Sequence, residues 1–274
     1  VAKSTIKAPV TQVPRRKRSV AKVDASRLRG SVVVGVDGSS AGYHAFEWAA
    51  RHAVATCTDL QVYDMSARSG PLAGDETLHR VLRRLPTLTA HFRLGGTNPV
   101  RTMTTSGAEQ DILVLAGSGH TSDSAGLKRR LIQAAITRTR SATVLVQGRP
   151  EAIRGEYGWV TAVVGRGHEV AVLDSAITLC RVRGAQLRVV HLRPLLPGQG
   201  NLVNDSVVSS AAAYLRDAAP DLSADFILDR RQPHESFAAL HSDLVVLERG
   251  HQGAALITRT ALYHAACPVL IVQC

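Results

Sequence analysis

Two phrases in this chain each occur twice, in the same order. Gln110-Asp-Ile-Leu-Val-Leu-Ala116, followed by Gly119-His120, is answered by Ser242-Asp-Leu-Val-Val-Leu247, followed by Gly250-His251. Ala142-Thr-Val-Leu-Val-Gln147 is answered by Cys267-Pro-Val-Leu-Ile-Val-Gln273. An offset near 130 residues, held across several segments of a 274-residue chain, marks an internal duplication. Two units of that size are tandem domains rather than turns of a solenoid. Whatever the fold is, about half the chain must be able to complete it.

Within the first copy, the apolar run 31–36 ends at Asp37-Gly38-Ser39-Ser40. A continuous β-branched run of that kind suits a strand buried on both faces of a parallel sheet. Ser39 or Ser40 can cap the helix that follows, which carries Ala45, Trp48, Ala49, Ala53 and Val54 at helical spacing. Further strands are expected at 60–65, 90–94, 112–116 and 143–147, with helices at 75–85, from about 99, and over 126–139. The second copy restates this with strands at 159–164, 186–192, 224–228 and the two repeated phrases. Its helices fall at 169–182, 204–218 and after Pro233. Alternation of this sort predicts an α/β fold: five parallel strands per copy, joined by right-handed crossovers. The organisation expected is a tail over 1–30, a first domain over 31–148, a linker over 149–157 and a second domain over 158–274. Gly148, Pro150 and Gly155 interrupt the pattern at the linker.

Charge is concentrated at one end. The formal net charge is +11, yet residues 1–30 hold nine basic residues and one acid, which leaves +3 for the other 244. Pro9, Pro14 and the run Arg15-Arg16-Lys17-Arg18 lie there without hydrophobic periodicity, so this stretch reads as a disordered tail. Clustered Lys and Arg can bind nucleic acid by releasing counterions from phosphate. The tail contains no aromatic residue to stack on bases. No apolar run approaches the roughly 18–20 residues of a spanning helix, and the basic start lacks the core of a secretory signal. A cytoplasmic location is expected, without membrane contact. Four cysteines do not make a disulfide framework here. Cys57 and Cys180 fall near helix ends, where a reduced cysteine is usually a small buried hydrophobe. Cys267 and Cys274 flank one strand and point to opposite faces, so no metal site is expected of them.

At this point the residues resemble the universal stress protein family. Val33-Val-Gly-Val-Asp37-Gly38-Ser39 is similar to the family's opening, and so are Asp243-Leu-Val-Val-Leu-Glu-Arg-Gly-His251 and Ala266-Cys-Pro-Val-Leu-Ile-Val272. The resemblance covers about residues 31–274 as two copies. It implies a five-stranded parallel sheet with helices on both faces in each copy. It also implies that the copies pair through their last strands, as a pseudo-dimer within the chain; a homodimer of whole chains stays open.

ATP-binding members of that family carry an Asp at the end of strand one. After strand four they carry a motif of Gly, two residues, Gly, nine residues, then Gly and Ser or Thr. Backbone N–H groups and a helix N-terminus make such a loop a phosphate cradle. Here the first copy keeps Asp37 and Gly119, with Ala116 at the first glycine and Arg129-Arg130 at the last pair. In the second copy Arg166 stands in the Asp position, Leu247 at the first glycine, and Thr260-Ala261 at the last pair, with Gly250 kept. A Cβ at a glycine position blocks close backbone approach. The candidate residues of a residual nucleotide site are therefore Asp37, Gly117, Gly119, Arg129 and Arg130. The bland alternative for Asp37 is a carboxylate that caps the next helix. His120 and His251 read as turn residues rather than catalysts.

Gly117-Ser118-Gly119 is a poor match to the G-x-S-x-G of a hydrolase elbow, with Ala116 and His120 at the outer positions. No phosphate loop of the Gly-Lys-Ser type is present, and no enzyme is expected. No cofactor is assigned, and ATP is expected, if anywhere, in the first domain. The expectation is a non-enzymatic stress-response module with an unknown protein partner. An ATP sensor using the first copy, or a nucleic-acid factor acting through the tail, remain the alternatives.

Overall fold

Val32–Val36 (β1) is apolar throughout because it has parallel neighbours on both sides, Leu60–Asp64 (β2) and Ile112–Ala116 (β4). The computed structural model describes residues 30–65, 75–94, 112–117, 133, 141–165, 169–194, 206–249 and 254–273. The other strands are Ala90–Leu94 (β3), Ala142–Val146 (β5), Trp159–Val163 (β6), Gln186–Leu192 (β7), Ala224–Asp229 (β8), Leu244–Glu248 (β9) and Val269–Val272 (β10). The helices are Ser40–Thr56 (α1), Glu76–Arg84 (α2), Pro150–Arg154 (α3), Glu169–Arg183 (α4), Ser206–Ala218 (α5), Pro233–Ala238 (α6) and Ala254–His264 (α7). Those expected from about 99 and over 126–139 lie outside the described residues.

All ten strands form one sheet, in the order β3-β2-β1-β4-β5-β10-β9-β6-β7-β8. Each half is parallel, and the halves meet at a single antiparallel joint where Thr143, Val144 and Leu145 pair with Ile271, Leu270 and Val269. Without that joint, two apolar strands would each present a bare edge. A continuous core spans the joint on one face, from Val34, Trp48 and Val144 to Val160, Leu173 and Leu270. On the other face Phe237 of α6 and Ala261 of α7 close over Val245 and Ile271.

Local signals explain the first helix. The Ser39 hydroxyl accepts the Gly42 N–H at 3.1 Å and so caps α1. Ala45, Phe46, Trp48, Ala49 and Ala53 are buried against the sheet. At the other end Cys57 adopts φ 53° as the left-handed cap, and its side chain is exposed. That corrects the expectation of burial: the cap position turns the residue out of the helix stripe. Cys180 and Cys267 are buried as free thiols, and Cys274 lies outside the described residues.

The stretch expected as the linker holds a short helix. Pro150 occupies the first turn of α3 and Gly155, at φ 78°, ends it. These residues bound a short helix, because proline suits a first helical position and glycine a left-handed cap. Ala152 and Ile153 are buried beneath it. Among the described residues, no helix is long and apolar enough to cross a membrane.

Candidate functional site

Strand order reverses between β1 and β4, and again between β6 and β9. In an open α/β sheet the crevice beyond the carboxyl ends at such a reversal is the usual ligand position. Asp37 directly follows β1 and Gly117 directly follows β4. The two therefore flank the same crevice.

Asp37 is engaged in the turn into α1. Its Oδ1 accepts the Ser39 N–H at 3.0 Å and the Ser39 hydroxyl at 2.5 Å. That hydroxyl in turn accepts from Gly42, so carboxylate, serine and helix N-terminus form one relay. Gly42 has to be glycine for this packing: a Cβ there would fall 2.6 Å from Asp37 Oδ1.

Gly117 is also committed. Its N–H donates to the Val146 carbonyl at 2.7 Å, so that donor points along the sheet to β5. A Cβ on Gly117 would meet the Gln147 Cβ at 2.7 Å. The close approach that needs glycine here is thus between two strand ends. Gln147 then reaches into the second copy, its Nε2 donating to the carbonyls of Ala261 and Ala265 on and just past α7 at 3.1 and 3.3 Å. Gly119, Arg129 and Arg130 lie outside the described residues, as do His120, Arg166, Gly250 and His251.

Strand register corrects two of the positions expected in the second copy. Ala116 pairs with Val146, and Glu248 pairs with Val272. Gly117 N–H meets Val146 O at 2.7 Å, and Arg249 N–H meets Val272 O at 2.8 Å. Glu248 therefore takes the place of Ala116, and Leu247 lies one residue earlier, inside the strand. Followed back, Val32 pairs with Ile112 and Val160 with Leu244. That puts Gly165, not Arg166, in the place of Asp37. Counting from the Gly-His pairs crosses loops of unequal length, whereas the hydrogen-bond ladder counts residues directly. Neither Gly165 nor its neighbour Val164 supplies a carboxylate.

Thr260 sits mid-helix in α7, where its hydroxyl donates to the Leu256 carbonyl at 2.8 Å, and Ala261 is fully buried. That pair holds a helix in place. Sequence reading passed over Gln147 and Arg249, whose Nη2 donates to the Ser141 carbonyl of the first copy at 3.1 Å. Gln147 carried a signal, since Gln273 answers it in the repeated phrase; Arg249 carried none. Among the described residues no three His, Cys, Asp or Glu side chains cluster as a metal site.

Solved structures share this architecture over nearly the whole chain. A universal stress protein from Archaeoglobus fulgidus DSM 4304 superposes with a TM-score of 0.59 at 11% identity, over 91% of this chain and 98% of that one. The fold is that of a tandem universal stress protein. A functionally unknown protein from Pseudomonas aeruginosa PAO1 shares it, with a TM-score of 0.56 at 14% identity over 91% of this chain and 94% of that one. So does the cytoplasmic domain of a prokaryotic cation chloride cotransporter, at 0.57 and 14% identity over 89% and 95%. No protein-family model and no curated protein matches the sequence. At such identities the universal-stress-protein likeness is one of fold.

Proposed function

We propose that this chain is a non-catalytic module of the stress response, regulatory or protein-binding, whose nucleotide positions have been given over to holding the sheet together. The fold alone does not choose among roles, since it also serves as the cytoplasmic domain of a cotransporter. The residues at the crevice support the choice. The observation that carries it is the Gly117 N–H, spent on the Val146 carbonyl beside a packed Gln147. A donor already bonded within the sheet offers nothing to a phosphate oxygen. In the second copy Gly165, Glu248 and Arg249 stand at the corresponding places, which removes the acceptor and the glycine together.

Thermal unfolding with ATP tests this reading. A micromolar site saturated at millimolar ATP would add roughly 4 kcal/mol and raise Tm by several degrees. The expected result is no shift. A shift abolished by Asp37→Ala would favour the ATP-sensor alternative in the first domain. One that persists in Asp37→Ala would direct attention to Arg129 and Arg130. Salt-dependent retention on DNA, with and without residues 1–30, tests the nucleic-acid alternative by its counterion-release slope.

A further inference from the structure

His52 lies one helical turn after Trp48 on α1 and is 1% exposed. The two rings stack, with centroids 5.0 Å apart and planes at 21°. The guanidinium of Arg183, the last residue of α4, sits 4.8 Å from the Trp48 ring centroid. Helix α1 belongs to the first copy and α4 to the second, so this cluster joins the copies at a second place, away from the β5–β10 joint. Neither ring nitrogen of His52 has a hydrogen-bond partner, and neither do Trp48 Nε1 and Arg183 Nε. Buried polar atoms left in that state call for an explanation.

Among the described residues, none is a counter-ion to His52. From α4 come Arg183 and Cys180, the thiol pushed up to about 12 by burial. Asp243, just before β9, faces Arg183, and its carboxylate accepts the Tyr157 and Gly158 N–H groups at 2.8 Å each. On α1 itself Arg51 pairs with Glu47 at 2.9 Å. From α3 and the turn after it, Arg154 feels the charges of Glu156, Glu151 and Glu47, and Glu156 faces Arg51. Helix α2 brings its cap Asp75 to Tyr43 at the far end of α1. The strands beneath contribute Val32, Val34, Leu60, Val62, Val114 and Val144, all apolar. Among the described residues, the charge that acts on His52 is the cation of Arg183.

We propose that His52 is an acid sensor set in the contact between the two copies, and that protonation of its ring opens the α1–α4 contact while the sheet stays paired. Burial, and then Arg183, hold the ring neutral in the closed form, down to about 3 from an ordinary 6.5. Once α1 parts from α4 the ring is wetted and regains an ordinary affinity for protons. The closed form binds no proton at His52 between these values, and the opened form binds one. Each pH unit below 6.5 therefore shifts the balance about tenfold toward opening. Between pH 6.5 and 4.5 the shift is about fiftyfold, because the opened form is already half protonated at 6.5. Trp48 reports it, since its stacking partner becomes a cation.

The test uses the full chain with Trp159→Phe, which leaves Trp48 as the sole indole, and measures emission and amide exchange from pH 7.5 to 4.5. With every rate divided by the intrinsic exchange rate at that pH, the expected result is faster exchange in α1 and at Tyr157 and Gly158, growing about tenfold per pH unit below 6.5, with β1 and β4 unchanged. In His52→Gln that growth should vanish. Equal acceleration in His52→Gln, or equal acceleration in β1 and β4, overturns the proposal. Should His52→Gln not fold, the ring proton resonances of the unsubstituted chain decide by themselves. A His52 ring that stays neutral to pH 4.5 in the folded chain, alongside the local exchange, supports it. A ring that titrates near 6.5 without opening overturns it.

Discussion

A Cβ on Gly148 would fall 2.2 Å from the carbonyl carbon of Ala266, closer than any side chain can stand to backbone. Gly148 also holds φ at +90°, which disfavours every other residue. Next to it, Arg149 N–H donates to the Ala266 carbonyl at 3.0 Å. Gly148→Ala should cost about 2–4 kcal/mol from overlap and strain together. The loss is expected in the β5–β10 joint first. Urea unfolding followed by exchange at Thr143–Leu145 checks both size and place.

Gly42 and Asp37 should show opposite coupling. Replacing an ordinary helix glycine by alanine stabilises by about 0.5–1 kcal/mol. Here the new methyl would push on the Asp37 carboxylate, 2.6 Å away, and break its bonds to Ser39. Gly42→Ala should therefore destabilise the parent chain by about 1 kcal/mol, a typical cap loss. In an Asp37→Ala background the same change should stabilise. A double-mutant cycle in thermal unfolding measures the sign reversal.

Gln147→Ala removes the side chain that ties the end of β5 to the carbonyls of Ala261 and Ala265. Two lost hydrogen bonds are worth about 1–3 kcal/mol. Exchange at the C-terminal end of α7 should rise, while α1 should not change. Gln147→Glu should be worse than alanine, because a carboxylate would face those two carbonyls.

Tyr43 donates its hydroxyl to Asp75 at 2.5 Å, and the other carboxylate oxygen caps α2 through Thr77 at 2.8 Å. The tyrosine, ahead of the backbone donors, holds the Asp75 carboxyl below its ordinary value. A carboxyl depressed in the folded state stabilises above its unfolded value and loses that contribution as pH falls through the folded one. Tyr43→Phe should cost about 0.5–1.5 kcal/mol at pH 7. The gap from the parent should narrow as pH drops below about 4. Chemical denaturation across pH 2.5–7 reads the convergence.

Much of this fold could be read in advance because its signals are local. The run of Val32–Val36 needs neighbours on both sides, and the repeated phrases put β4 with β5 and β9 with β10 in the same order twice. Ser39 was one of two serines offered as the cap, and it is the one that bonds Gly42. Pro150 and Gly155 were read as a break, although proline first and glycine last also frame a short helix. The site was harder. Asp37 and Gly117 could be placed beside one crevice, but their present partners, Ser39 and Val146, follow from how chain ends pack. Leu247 and Arg166 were off by one residue each, since only the ladder fixes register. His52 and Arg183 lie far apart in sequence, and nothing local to either shows that they meet.

The antiparallel joint carries one last consequence. Two separate chains meeting about a twofold axis must present the same patch to each other, so every change at that patch is felt twice. Here the partners are tethered, and α3 keeps their effective concentration high whatever the dilution. Each half is then free to drift away from its twin. Gly117 on one side and Arg249 on the other, which crosses to bond Ser141, form a mismatch that a symmetric assembly would have to carry in duplicate. One chain can carry it once, and diluting the protein will not pull its halves apart.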